Sequence, residues 1–213
     1  MRFSPRLSLL LLVLAFVLSG CSSRAGSSSS SAADTSLKAI PQSDAQGQIP
    51  VGSFVTAPSE IDGFVLNEYN EALTASGYFY ATWTAGTATD YTNSEGKEAK
   101  LYDAQIYMIV YEGTDAEDAA SRAAGWLAAA QQNYDIQEES TAGIGTDPAA
   151  PSDCHILTYS IEDDANPYTG GASAFVSSGS AAVCVETVRT PSWEGDTEEV
   201  LRSFLKKLEI LSE

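Results

Sequence analysis

The chain has 213 residues, with 11 Lys and Arg against 29 Asp and Glu, a formal net charge of −18 at pH 7. So acidic a surface argues against nucleic acid as a partner, because phosphates are held by Lys and Arg, and it repels anionic headgroups; its ordinary meaning is solubility. At 44% hydrophobic residues the chain is long enough for one domain with its own core, needing neither metal nor cofactor to fold.

The first stretch is a leader. Arg2 and Arg6 precede an apolar run over residues 7–18, which closes on Leu18, Ser19, Gly20 and Cys21. The run is twelve residues, whereas a helix needs about 20 to cross a bilayer, so it reads as an export signal. Basic start, short apolar run and Leu-Ser-Gly-Cys together resemble the signal peptide and lipobox of bacterial lipoproteins. The resemblance implies cleavage before Cys21, residues 1–20 as signal peptide, and diacylglyceryl on the Cys21 thiol. It places the mature protein at the cell membrane, lipid-anchored on the extracytoplasmic face. Several acyl chains would hold it there, since each buried CH2 adds about 0.8 kcal/mol. Arg2 and Arg6 leave with the signal, so nine basic residues then face 29 acidic ones, a balance of −20 over 193 residues.

Residues 21–50 form the lipidated cysteine and a tether. Ser27 to Ser31 is a serine run, and the rest is polar with isolated prolines. So little apolar surface cannot offset the entropy of ordering. Such a coil spans roughly 30 Å.

Residues 51–213 read as a single α+β domain. Phe64, Leu66 and Tyr69 follow the Asp62-Gly63 turn and predict a strand. Phe79, Ala81 and Trp83 alternate with Tyr78, Tyr80, Thr82 and Thr84, a period of two. Residues 86–100 predict a long hairpin turning at 93–96. The returning strand sets Tyr102, Ala104, Ile106, Met108 and Val110 on one face, and Asp103, Gln105 and Tyr107 toward water. The period then becomes helical: Thr114 and Glu117 form a capping box, and Ala116, Ala120, Ala123, Leu127 and Ala130, with Trp126 beside them, predict an alanine-rich helix to about Asn133. After a Gly- and Pro-rich connection over 142–151, three strands follow at 154–161, 172–177 and 180–190. Asp196 with Glu199 opens a last helix whose stripe is Val200, Leu201, Phe204, Leu205 and Leu208, and Lys206 and Lys207 suit its C-terminal end. The fold class is an antiparallel sheet flanked by a mid-chain helix and a C-terminal helix. That order of elements resembles the Mog1/PsbP-like lipoproteins of bacteria, which implies a domain without catalysis.

Cys154 and Cys184 are an even pair in an exported chain, where oxidation is permitted. A disulfide is the expectation, with two buried thiols packed as apolar residues as the alternative. A simple meander of the last three strands would hold the cysteines about 10 Å apart, beyond disulfide reach. The bond therefore requires the strand bearing Val183 to lie beside or opposite the one bearing His155.

For chemistry the chain offers little. His155 is the single histidine, on the same face as Leu157, Tyr159 and Ile161, and reads as structural; no nucleophile-elbow motif is present. Zinc needs three or four ligands, and Glu162, Asp163, Asp164 and Asn166 lack the spacing of a calcium loop; no metal site and no cofactor are expected. Tyr78, Tyr80, Tyr107 and Tyr111 project from the outward face of adjacent strands, with Tyr91 in the hairpin. They suit a glycan or protein partner if that face is open, and are half-buried core if a helix covers it. The functional expectation is a membrane-anchored, non-enzymatic binding or accessory module of the cell envelope. The alternative is an envelope hydrolase or other enzyme whose site has no recognisable motif.

Overall fold

The structure, a computed structural model, describes residues 42–70, 77–92, 98–142, 154–162 and 166–210. The signal, Cys21 and the tether as far as residue 41 lie outside the described residues, as do the 93–96 turn, residues 143–151 of the Gly- and Pro-rich connection, and Asp163 and Asp164.

Among the described residues the elements run β1 (Gln48–Val51), β2 (Val55–Pro58), β3 (Glu60–Ile61), β4 (Phe64–Asn70), β5 (Tyr78–Ala85), β6 (Thr89–Thr92), β7 (Glu98–Leu101), β8 (Ala104–Glu112), α1 (Ala116–Asn133), β9 (Asp135–Ala142), β10 (Cys154–Ser160), β11 (Gly170–Ser178), β12 (Ala181–Arg189), α2 (Thr197–Lys207) and β13 (Glu209–Ile210). Eight strands form one sheet in the order β3-β4-β5-β8-β12-β11-β10-β9, and its neighbours pair antiparallel throughout. The expected α+β architecture is thus present, with its mid-chain and C-terminal helices. The strands β6 and β7 pair only with each other, as a separate ribbon.

The period-two strands bury side chains on both sides, because each sheet face has its own cover. On the first face Phe79, Ala81 and Trp83 of β5 and Ile106, Met108 and Val110 of β8 pack under α2, through Val200, Leu201, Phe204 and Leu205. A small sheet, β1-β2-β13, closes the same core with Ile49, Val51, Val55 and Ala57. On the second face α1 lays Ala119, Ala123, Trp126 and Ala130 against Phe175, Ala182, Cys184 and Leu157. Trp126 supplies the bulk that alanines lack, as its spacing foretells.

Several expectations shift locally. The buried stripe of α1 contains Ala119, whereas Ala116 and Ala120 are exposed. Its cap is Asp115, one residue past the expected Thr114: the Asp115 carboxylate accepts from the Asp118 amide at 2.9 Å. Asp118 in turn accepts from the Thr114 amide at 3.0 Å, and that bond, with one from Tyr111, holds its carboxyl below the usual range. The acid displaces the hydroxyl because an ionised oxygen makes the stronger bond to an amide. At α2 the cap is Asp196 as expected, accepting from the Glu198 and Glu199 amides. β1 begins at Gln48, three residues before the expected domain start. β9, a polar strand on the sheet's edge, has no counterpart among the predicted elements.

The cysteines are corrected outright. β10, β11 and β12 form the simple meander, and Cys154 and Cys184 are free and buried. Phe175 pairs with both His155 and Cys184, so His155 and Cys184 share a face and Cys154, the residue before His155, points to the other. Cys154 packs in the core under α2 and Cys184 in the core under α1. Two strand spacings, about 10 Å, and opposite faces exclude the bond. Burial pushes the Cys154 thiol up to about 12 and the Cys184 thiol well above its ordinary value. Reductant is therefore expected to leave the melting temperature unchanged. A thiol reagent at neutral pH should label neither cysteine until urea unfolds the domain.

Candidate functional site

α1 crosses the second face near one end of its strands, and this divides the four tyrosines expected there into two pairs. Tyr78 and Tyr111 lie with ring centroids 4.8 Å apart, and the Arg122 guanidinium of α1 sits 4.8 Å above the Tyr111 ring and 5.6 Å above that of Tyr78. The Tyr111 hydroxyl donates to Asp118 at 2.8 Å. This pair is cation–π packing under the helix, the covered alternative.

Tyr80 and Tyr107 stand on the part of the face beyond α1. Their rings are near-parallel, with centroids 6.4 Å apart and 28° between planes, and both are half-buried. Tyr107 pairs across the sheet with Glu186 of β12, and Glu186 with Ser173 of β11. Glu186 is only 5% exposed. Its Oε1 accepts from the Tyr134 hydroxyl at 2.9 Å, from the Tyr159 hydroxyl and, at 3.5 Å, from Ser173. Tyr134 caps the end of α1, and its ring stacks on Tyr159 at 3.9 Å and 9°.

Beside this carboxyl lies an amide. Gln105, two residues before Tyr107 on β8, is 8% exposed rather than directed to water. Its Oε1 accepts from the Tyr107 hydroxyl and, at 2.7 Å, from that of Tyr168. Tyr168 arrives on the segment leading into β11, with its amide donating to Asn166 at 3.0 Å. Two phenols on one oxygen fix the orientation of the amide.

The electrostatics follow from burial. Desolvation raises the Glu186 carboxyl above its ordinary value, outweighing the hydroxyls that favour its charge. Burial also lifts Tyr80, Tyr107 and Tyr159 far above a free phenol, with Glu68 and Glu186 adding to it at Tyr80, and brings Tyr168 to about 12. Tyr80, Tyr107, Tyr159 and Tyr168 therefore keep their phenol protons at pH 7.

A raised carboxyl makes stability depend on pH in a definite sense. Glu186 binds its proton more tightly folded than unfolded, so its contribution is full below the ordinary value of 4.5 and is lost as pH rises through the folded value. Glu186→Gln keeps an acceptor for the three hydroxyls without the titration. Urea melts from about pH 4 to about pH 7 are expected to show the wild type losing stability relative to this variant.

His155 lies elsewhere, half-buried, with Nδ1 3.7 Å from Glu139 Oε1 at the sheet's edge. Among the described residues no group of three or more His, Cys, Asp and Glu is placed to hold a metal ion. Of the residues around Glu186, sequence reasoning singles out Tyr80 and Tyr107 and overlooks Gln105, Tyr134, Tyr168, Ser173 and Glu186 as site residues. The available signal is Glu186 itself, one charge inside the apolar run Ala181-Ala-Val-Cys-Val-Glu-Thr-Val188, because an ionisable group held in a buried strand is a functional-site candidate.

No family model matches the chain, and no curated protein matches it. A solved crystal structure from Bacteroides thetaiotaomicron VPI-5482 is similar at 14% identity and a TM-score of 0.36, covering 63% of this chain and 46% of the other.

Proposed function

We propose that this chain is a lipoprotein of a bacterial cell envelope, anchored through lipid on Cys21, whose folded domain is a non-enzymatic binding module. The anchor rests on Leu18-Ser19-Gly20-Cys21 behind a short apolar run. The binding role is carried by one observation, the half-buried Tyr80 and Tyr107 rings beside Tyr168, with the buried Gln105 and Glu186 between them, on the part of the sheet face beyond α1. The hydroxyls of Tyr107 and Tyr168 hold Gln105, and those of Tyr134, Tyr159 and Ser173 hold Glu186, in fixed orientations, which is preorganisation for a ligand. The order of elements, with its resemblance to Mog1/PsbP-like lipoproteins, supports the non-catalytic reading.

The test is fractionation of bacteria expressing the full chain. The wild type is expected in the membrane pellet, resistant to salt washing, with acyl groups on residue 21 by mass spectrometry. Cys21→Ser is expected in the soluble fraction, since a sulfur that cannot be acylated leaves only an acidic domain that anionic headgroups repel. Equal membrane retention of both proteins refutes the anchor.

A further inference from the structure

The tyrosine face keeps three polar groups in reserve. The Tyr80 hydroxyl has no hydrogen bond among the described residues, although burial and the charges of Glu68 and Glu186 surround it. The hydroxyls that bond Glu186 all reach Oε1, and no described residue bonds Oε2. Both phenols on Gln105 reach its Oε1, and no described residue accepts from Nε2. These groups stand on β5, β12 and β8, neighbours in the sheet; by register Tyr80 faces Ile109 and Gln105 faces Thr84, so the three are spread over about 14 Å of the face, the span of a short chain of sugars rather than of one ring.

We infer that this face binds a neutral carbohydrate chain, with Tyr80 and Tyr107 packing against sugar rings and Gln105, Glu186 and the Tyr80 hydroxyl reading sugar hydroxyls. The inference deepens the binding role proposed above and rests on it. A sugar hydroxyl both gives and takes a hydrogen bond, so it satisfies a carboxyl oxygen that only accepts and an amide nitrogen that only donates. The apolar face of a pyranose matches a phenol ring, which has a flat apolar body and a polar tip. Charge narrows the class. The site residues include no Lys or Arg and hold Glu186 with Glu68 nearby, so phosphorylated or carboxylated ligands are repelled. A cation would suit the rings and Glu186, but it would leave the Gln105 Nε2 donors unanswered, and unanswered polar groups oppose binding.

The test is calorimetry on the full chain, purified in a detergent without a sugar headgroup, with maltohexaose, cellohexaose and N-acetylchitohexaose as probes. At least one is expected to bind with a Kd below about 10 mM. Tyr80→Phe removes a hydroxyl that bonds no described residue. It should weaken that binding about tenfold while moving the melting temperature by less than about 2 °C. Tyr111→Phe, altered beneath α1, should bind like the wild type. Absence of binding by all three sugars overturns the inference, as does binding that Tyr80→Phe leaves unchanged, or binding of tetramethylammonium in their place. If the sugars fail while Cys21→Ser still releases the protein, the ligand class falls and the anchored lipoprotein stands. Retention of Cys21→Ser on the membrane instead refutes the anchor.

Discussion

Trp83→Ala is expected to destabilise the domain by about 4 kcal/mol, read as a lower urea midpoint with a smaller native population in water. Trp83 is fully buried at the centre of the first core, with its ring edge-on to Phe204 of α2 at 4.8 Å. Its Nε1 donates to the Pro58 carbonyl at 2.7 Å, so one side chain joins the large sheet, the C-terminal helix and the small sheet. Alanine removes the ring, leaves a void the surrounding strands cannot close, and deprives the Pro58 carbonyl of that donor. Trp83→Phe separates these contributions. It keeps much of the packing but not the donor, and should cost about 1–3 kcal/mol for the lost hydrogen bond and the smaller ring. Since natural domains hold only about 5–15 kcal/mol in all, the alanine variant should be partly unfolded near physiological temperature.

Gly171→Ala is expected to cost about 2–3 kcal/mol and to disturb the site at the same time. Gly171 pairs with Tyr159 across β10 and β11 and with Val188 across β11 and β12. A Cβ there would stand 2.2 Å from the Thr187 carbonyl oxygen, 2.8 Å from the Tyr159 hydroxyl and 3.0 Å from its ring. The carbonyl cannot retreat cheaply: Thr187 is paired on both sides in the ladder, with Ala172 and Ile106, and its hydroxyl donates to the Thr197 carbonyl at 2.8 Å. The missing side chain is what lets the Tyr159 ring lie over the neighbouring strand and reach Glu186. The alanine variant should therefore lower the urea midpoint and also weaken the near-ultraviolet dichroism of the stacked Tyr134–Tyr159 pair. Loss of stability without that spectral change would show that the ring's position does not depend on the glycine.

What the sequence discloses here depends on how local its cause is. The alternation in β5 and β8 and the stripe and cap of α2 are set by neighbours a few residues apart, and each stands where its pattern places it. The small sheet is different. β2 pairs with β13 some 150 residues later through two residue pairs, and segments so short carry no periodicity. β9 alternates nothing, since an edge strand faces water on most of its surface. The cap of α1 moved by one residue because Thr114 and Asp115 are both good caps, and the charged oxygen makes the stronger bond to the helix amide. The disulfide expectation failed on topology, because composition allows the bond and strand order forbids it. At the site, Tyr80 and Tyr107 follow from alternation. The burial of Gln105 does not, because the phenol that bonds it from outside the sheet, Tyr168, is 63 residues away.

The two margins of the large sheet are unlike, and the difference bears on how such molecules behave when crowded. One margin is β3, two residues long; the other is β9, eight residues whose exposed positions include Asp135, Glu138 and Glu139. A second copy arriving to extend the ladder at β9 would set carboxylate against carboxylate, and at β3 it would find too little backbone to grip. Both margins thereby oppose edge-to-edge pairing of neighbouring copies.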